Sequence, residues 1–161
     1  DVYKRQDEAW AQDLDSKLMA SVRLARRCAE PLSRSDHGAI LNVLAMAAKA
    51  PTGGSTPSSV SRAAGLALTK ALSKELGPSG VRVNAVLIGL IESGQWQRRA
   101  AAAGADLEEQ YASMGRDNPI PLGRVGRAQE FGDVAAFLLS PRASYVSGAG
   151  INLDGGLSPA W

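Results

Sequence analysis

"SSVSRAAGLALTKALSKELGPSGVRVNAV", residues Ser58 to Val86, joins two hydrophobic patterns. In its first part Val60, Ala64, Leu68, Ala71, Leu72 and Leu76 recur three or four apart. That spacing places them on one helical face and predicts a helix over Ser58–Leu76. Pro57 can set the first turn, and "GPSG" ends the helix with turn chemistry. The face formed by Ala63, Ala64, Gly65, Ala67 and Ala71 is small enough for close helix packing. "VRVNAVLIG" then reads as a buried strand, so this stretch is a helix leading directly into a strand.

The same alternation extends outward. Upstream, "AILNVLA" (Ala39–Ala45) is a short apolar run between turn residues and reads as a strand covered on both faces. Before it, Leu14, Leu18, Val22, Ala25, Ala29 and Leu32 mark a helix within Asp7–Leu32. "KAPTGGSTP" is loop-like. Downstream, helices are predicted at about Gly94–Ala103, Asp106–Arg116 and Ala128–Leu139, and a last strand at Ala149–Leu153. Strands alternating with helices indicate an α/β fold with a parallel sheet. Three strands are few for a doubly wound domain, so further strands are expected upstream of Asp1. "DVYKRQ" has no apolar period, and Asp1–Gln6 is read as a non-native or disordered leader to the domain at 7–161.

The 161 residues suit one domain, and 45% apolar with 21% charged residues is ordinary for a globular chain. A net charge of +2 without a basic stripe argues against nucleic acid as a partner. No apolar run is long enough to predict a membrane span. The single cysteine, Cys28, excludes an internal disulfide; it reads as a core or interface thiol and fits a reducing cytoplasm. His37, the lone histidine, falls in a turn, and no metal-ligand spacing surrounds it.

Three separated blocks occur in the order found in the C-terminal part of the short-chain dehydrogenase/reductase family. "GAILNV" resembles the strand before that family's active-site loop. "RAAGLALTKALSKELGPSGVRVNAV" is similar to its active-site helix and following strand. "IPLGRVGRAQEFGDVAAFLLSPRASYVSGAGINLDGG" resembles the segment that closes its substrate pocket. The resemblance covers about Asp7 to Leu157. It implies a partial Rossmann-type doubly wound parallel sheet and an oxidoreductase using NAD or NADP on a small carbonyl or alcohol. The family's glycine-rich phosphate turn has no counterpart here. "PTGGSTP" and "GAGINLDGG" are rich in glycine, but neither follows a strand and opens a helix.

The resemblance also implies a tyrosine acid, a lysine four residues later, a serine that hydrogen-bonds the substrate oxygen, and an asparagine on the preceding helix. Those positions fall on Ser58, Arg62, Ala45 and Lys17, and all four depart from the pattern. There is no tyrosine between Tyr3 and Tyr111 and no lysine between Lys49 and Lys70, so the usual pair is missing whatever the alignment. A serine hydroxyl is far less acidic than a phenol. Ser58 is read as a helix N-cap, a substrate contact or a replacement acid. Arg62 keeps a positive charge and can hold ribose hydroxyls or an anion, or serve as a paired surface charge. Ala45 donates nothing. Lys17 is either a snorkelling charge or an acid and electrostatic clamp.

On the nicotinamide side the resemblance implies backbone recognition after "VNAV", where "LIGLIES" retains Gly89 and places Ile91 and Ser93 as contacts. Trp96, Tyr111 and Met114 fall in the family's variable lid and can line an apolar pocket. Two readings follow. One is an oxidoreductase resembling the 3-oxoacyl reductases, with a replacement proton donor. The other is an inactive relative kept as a scaffold. Both predict a homodimer or homotetramer built through the helices at 7–32 and 58–76.

Overall fold

The computed structural model describes residues 6–160. Of the expected leader only Gln6 is described, as extended backbone ahead of the first helix; Asp1–Arg5 lie outside the described residues. Helix α1 (Asp7–Leu14) passes through a π-turn (Asp15–Met19) into α2 (Ala20–Ser33). Strand β1 (Ala39–Ala45) leads through a 3-10 turn to α3 (Thr56–Leu76) and then to β2 (Arg82–Ile88). Helices α4 (Gly94–Ala103), α5 (Leu107–Asp117) and α6 (Ala128–Leu139) precede β3 (Gly150–Leu153).

The three strands pair in the order β1-β2-β3, all parallel, with Ala39 opposite Arg82 and Ala85 opposite Gly150. This is the expected α/β architecture. The central strand β2 is buried from Arg82 to Leu87, as a strand covered on both faces must be. Its alternation assigns the two faces. Ala85 and Leu87 join Leu44 of β1 in a core under Leu66 of α3. Asn42 points to the same side and donates to the Thr69 hydroxyl at 2.9 Å. Gly65 makes this packing possible: a Cβ there would stand 2.8 Å from Leu44 Cδ2. On the opposite face Arg82 and Asn84 turn toward α6 and the chain before β3.

Arg82 is 9% exposed, and its guanidinium donates to the carbonyls of Leu138, Leu139, Ser140 and Ala143. These lie at and just beyond the C-terminus of α6. Its carbonyl oxygens lack helical partners and carry the negative end of the helix dipole. Both terminal nitrogens of the buried guanidinium are thus engaged.

Two expectations change. β1 is an edge strand among the described residues, and Val43 is 46% exposed, so it is not covered on both faces here. Cys28 is exposed rather than core, because it lines an open cavity between α2 and the free edge of β1, with Leu24, Ala25 and Ala39–Val43. His37 is in an exposed turn, as expected.

Candidate active site

The N-terminal turn of α3 meets the end of β1 and the π-turn of the first helix. Here the chain gathers Lys17, Ser58 and Arg62. Ser58 is not an N-cap: α3 begins at Thr56 after Ser55, which places Ser58 inside the first turn. Its Oγ instead accepts a hydrogen bond from Lys17 Nζ at 3.1 Å. Lys17 sits mid-way along the π-turn, a local widening often found at functional sites. Its ammonium also forms an ion pair with Asp13, and the second oxygen of that carboxylate accepts from Ser61 Oγ at 2.6 Å.

Burial opposes ionisation of Asp13. The hydrogen bonds from Lys17 and Ser61, with the charges of Lys17 and Arg62, outweigh it and hold the carboxyl below its usual range. Arg62 lies one turn after Ser58 and donates to the Val43 carbonyl at 3.1 Å. Burial lowers its guanidinium pKa, opposed by the charge of Asp13. Its Nε is buried and has no hydrogen-bond partner among the described residues. A buried N–H without an acceptor is costly, so Arg62 is incompletely satisfied within the chain.

Beside this polar cluster a cavity of about 350 Å³ opens at the carboxyl ends of β1 and β2. Ala45, Gly89, Ile91, Ser93 and Trp96 line it, with Phe131 of α6. This is the edge where parallel α/β sheets bind ligands. Ile91 bridges to Gly126 through the backbones of Leu90 and Glu92, a bridge that leaves Ile91's own peptide groups unused. Ser93 precedes α4, and its hydroxyl makes no cap bond to the helix. Gly89 serves packing within the chain: a Cβ there would lie 2.7 Å from Asp154 Cβ.

Among the described residues no tyrosine replaces the missing one. The Tyr111 hydroxyl accepts from the Ser93 backbone N–H at 3.3 Å, and Tyr145 faces solvent. Tyr111 lines the neighbouring cavity around Glu92 and Gly94 rather than the one at the strand ends. Met114 is half-buried on α5. Sequence reasoning missed Asp13, Ser61 and the Val43 carbonyl. Asp13 carried a signal, an opposite charge four residues before Lys17 on one helix. Ser61 carried none, since only the docking of α1 on α3 brings it there.

The family whose description is Enoyl-(Acyl carrier protein) reductase matches residues 1–158. The chain belongs to the short-chain dehydrogenase/reductase family. Among relatives of this family, the 3-oxoacyl-[acyl-carrier-protein] reductase FabG of Chlamydia muridarum is 28% identical over 152 residues, covering 94% of this chain and 58% of that protein. The uncharacterized oxidoreductase YmfI of Bacillus subtilis is 32% identical over 151 residues, covering 93% and 59%. The chain therefore spans less than two thirds of the length of these short-chain dehydrogenase/reductase relatives. Among solved structures, an NADPH-bound short chain oxidoreductase of Pseudomonas aeruginosa PAO1 containing an atypical catalytic center superposes with a TM-score of 0.90. It is 36% identical, and the match covers 99% of this chain and 61% of that one. L-sorbose reductase from Gluconobacter frateurii, complexed with NADPH and L-sorbose, gives a TM-score of 0.88 at 27% identity, covering 100% and 62%. These likenesses fix the fold as Rossmann-like.

Proposed function

We propose that the protein carrying this chain is an NAD(P)-dependent oxidoreductase acting on a small carbonyl or alcohol, in the manner of a 3-oxoacyl reductase, with a lysine–serine pair in place of the usual tyrosine and lysine. The supporting observation is the 3.1 Å hydrogen bond from Lys17 to Ser58, which joins two of the four substituted positions across 41 residues of sequence. The NADPH-bound Pseudomonas oxidoreductase with its atypical centre is a precedent for the cofactor and for a departure from the common residues.

The residues fit the nicotinamide end of such a cofactor. Ile91 and Ser93 offer backbone and hydroxyl at the cavity wall, and Arg62 brings a positive charge one turn beyond Ser58. When bound, the reduced cofactor supplies a hydride to the carbonyl carbon. The chain's own part is to place and protonate the oxygen. Lys17 can only donate to Ser58, so the Ser58 hydrogen is free to point at a substrate oxygen. As that oxygen becomes an alkoxide, it takes the Ser58 proton while Ser58 takes one from Lys17. Lys17 is then recharged from solvent. The nearby positive charges also stabilise the developing oxyanion. Ala45 leaves apolar wall where the family has a second donor.

Met19, Leu24 and Val60 leave apolar surface on the α1–α2 segment and α3, which supports association through these helices in a homodimer or homotetramer. The exposed thiol of Cys28 suits a reducing compartment such as the cytoplasm. Full-length protein, NADPH or NADH, and a panel of 3-oxoacyl thioesters and small ketones provide the test. Loss of reduced-nicotinamide absorbance that depends on Lys17 supports the reading. Cofactor binding without turnover on any substrate favours the inactive scaffold, and absence of binding removes the reading altogether.

A further inference from the structure

Lys17 has acceptors on two elements, the Asp13 carboxylate one turn earlier in its own helix and the Ser58 hydroxyl on α3. Asp13 in turn has donors on both, Lys17 at Oδ1 and Ser61 at Oδ2. One carboxylate thus ties together the lysine that reaches Ser58 and the helix turn that carries Ser58. A lysine side chain is a point charge on a long flexible stem, and fixing its direction requires an acceptor close to its base. The π-turn at Asp15–Met19 begins just after Asp13, and both side chains meet α3.

From this geometry we infer that Asp13 is a positioning residue that holds the Lys17 ammonium within hydrogen-bonding reach of Ser58. The inference rests on the oxidoreductase reading and adds a fifth residue to the four substituted positions. It also sets the direction of proton flow. The Lys17 ammonium is a donor only, so Ser58 accepts from it and presents its own hydrogen outward. The same pairing excludes the Ser58–Lys17 pair as a nucleophile with a lysine base, which requires a neutral amine.

The test is the reactivity of Lys17 itself. Acetic anhydride acylates neutral amines, and peptide mass spectrometry can compare Lys17 with exposed Lys74 in the same digest of full-length protein. Asp13→Asn is expected to raise the relative acylation of Lys17 by about threefold or more, as the nitrogen loses its ion-pair partner and is freed to meet the reagent. Ser61→Ala, which removes only the cross-helix clamp, is expected to leave it within about twofold, and Asp13→Glu to restore it. An Asp13→Asn rate no higher than that of Ser61→Ala would make Asp13 a helix clamp and overturn the inference.

Should Asp13→Asn not fold, the partner can be changed instead. In Lys17→Met the Asp13 carboxyl, followed by carbon-detected NMR, is expected to titrate higher than in the unsubstituted protein, where it lies below the usual range. No movement would also overturn the inference. Both readouts are independent of turnover, so they separate a failure of Asp13 from a failure of the oxidoreductase reading.

Discussion

Arg82 and Arg62 both bring a guanidinium against the sheet, and the fold treats them differently. Arg82 is buried on the α6 face and meets four carbonyl oxygens. Arg62 is half-buried at the end of β1, meets one carbonyl, and keeps a buried Nε–H without a partner among the described residues. A buried cation whose two terminal nitrogens are both engaged holds structure. A cation left partly unpaired costs the fold something and keeps charge that the chain itself does not fully use. On the proposed reading the first kind is scaffold and the second belongs to the site.

The largest expected effect breaks the scaffold side of that contrast. Arg82→Met removes the donor from four carbonyls at the end of α6. It should destabilise the protein by about 3–5 kcal/mol, as losing one partner of a buried polar network does. Arg62→Met, by the same denaturant titration, should cost only about 1 kcal/mol, the net worth of one hydrogen bond. Equal losses would erase the distinction.

Next in size is the chemistry. Lys17→Met should lower kcat by about 100-fold, the lower end of what a positioned proton donor contributes. Stopped-flow measurement of carbonyl reduction checks it. Arg62→Met should instead raise the Kd for NADPH about tenfold, the loss of one charge-assisted hydrogen bond, readable by fluorescence titration. If Arg62→Met left cofactor affinity unchanged, its charge would have no assigned use.

These assignments show what the sequence made legible. Periodicity alone marked β2 and α3, because a central strand must be apolar throughout and a packed helix apolar on one face. The resemblance placed Lys17, Ser58 and Arg62, and the structure brings Lys17 onto Ser58. The π-turn under Lys17 was invisible, since nothing in "DSKLM" distinguishes it from α-helix. The two roles of arginine were equally hidden. "VRVNAV" looks like any buried strand, and only the return of α6 and the turn at Pro141–Ala143 gives Arg82 its carbonyls. Val43 looked buried by composition, yet its exposure depends on what lies beside an edge strand.

The smallest expected effect is a pH dependence at a third, exposed site. Glu130 is pulled to about 2, first by its hydrogen bond from Arg124 and then by the backbone N–H of Arg127. A carboxyl lowered on folding stabilises above its unfolded value and loses that contribution as pH falls. The stability gap between the protein and Glu130→Gln should therefore be constant above pH 4.5 and close as pH falls toward about 2. A gap that widened in acid would reverse the sign. Asp13, also lowered, should lose its contribution in the same direction.

The account stands most directly on a double-substitution cycle at Lys17 and Ser58 in the full-length protein, read as the single-turnover rate of carbonyl reduction with saturating NADPH. Residues that pass one proton act as a unit, so Lys17→Met, Ser58→Ala and the double variant are expected to lose rate by about the same factor. Full activity in Lys17→Met, or losses that simply multiply in the double variant, would contradict a shared proton path.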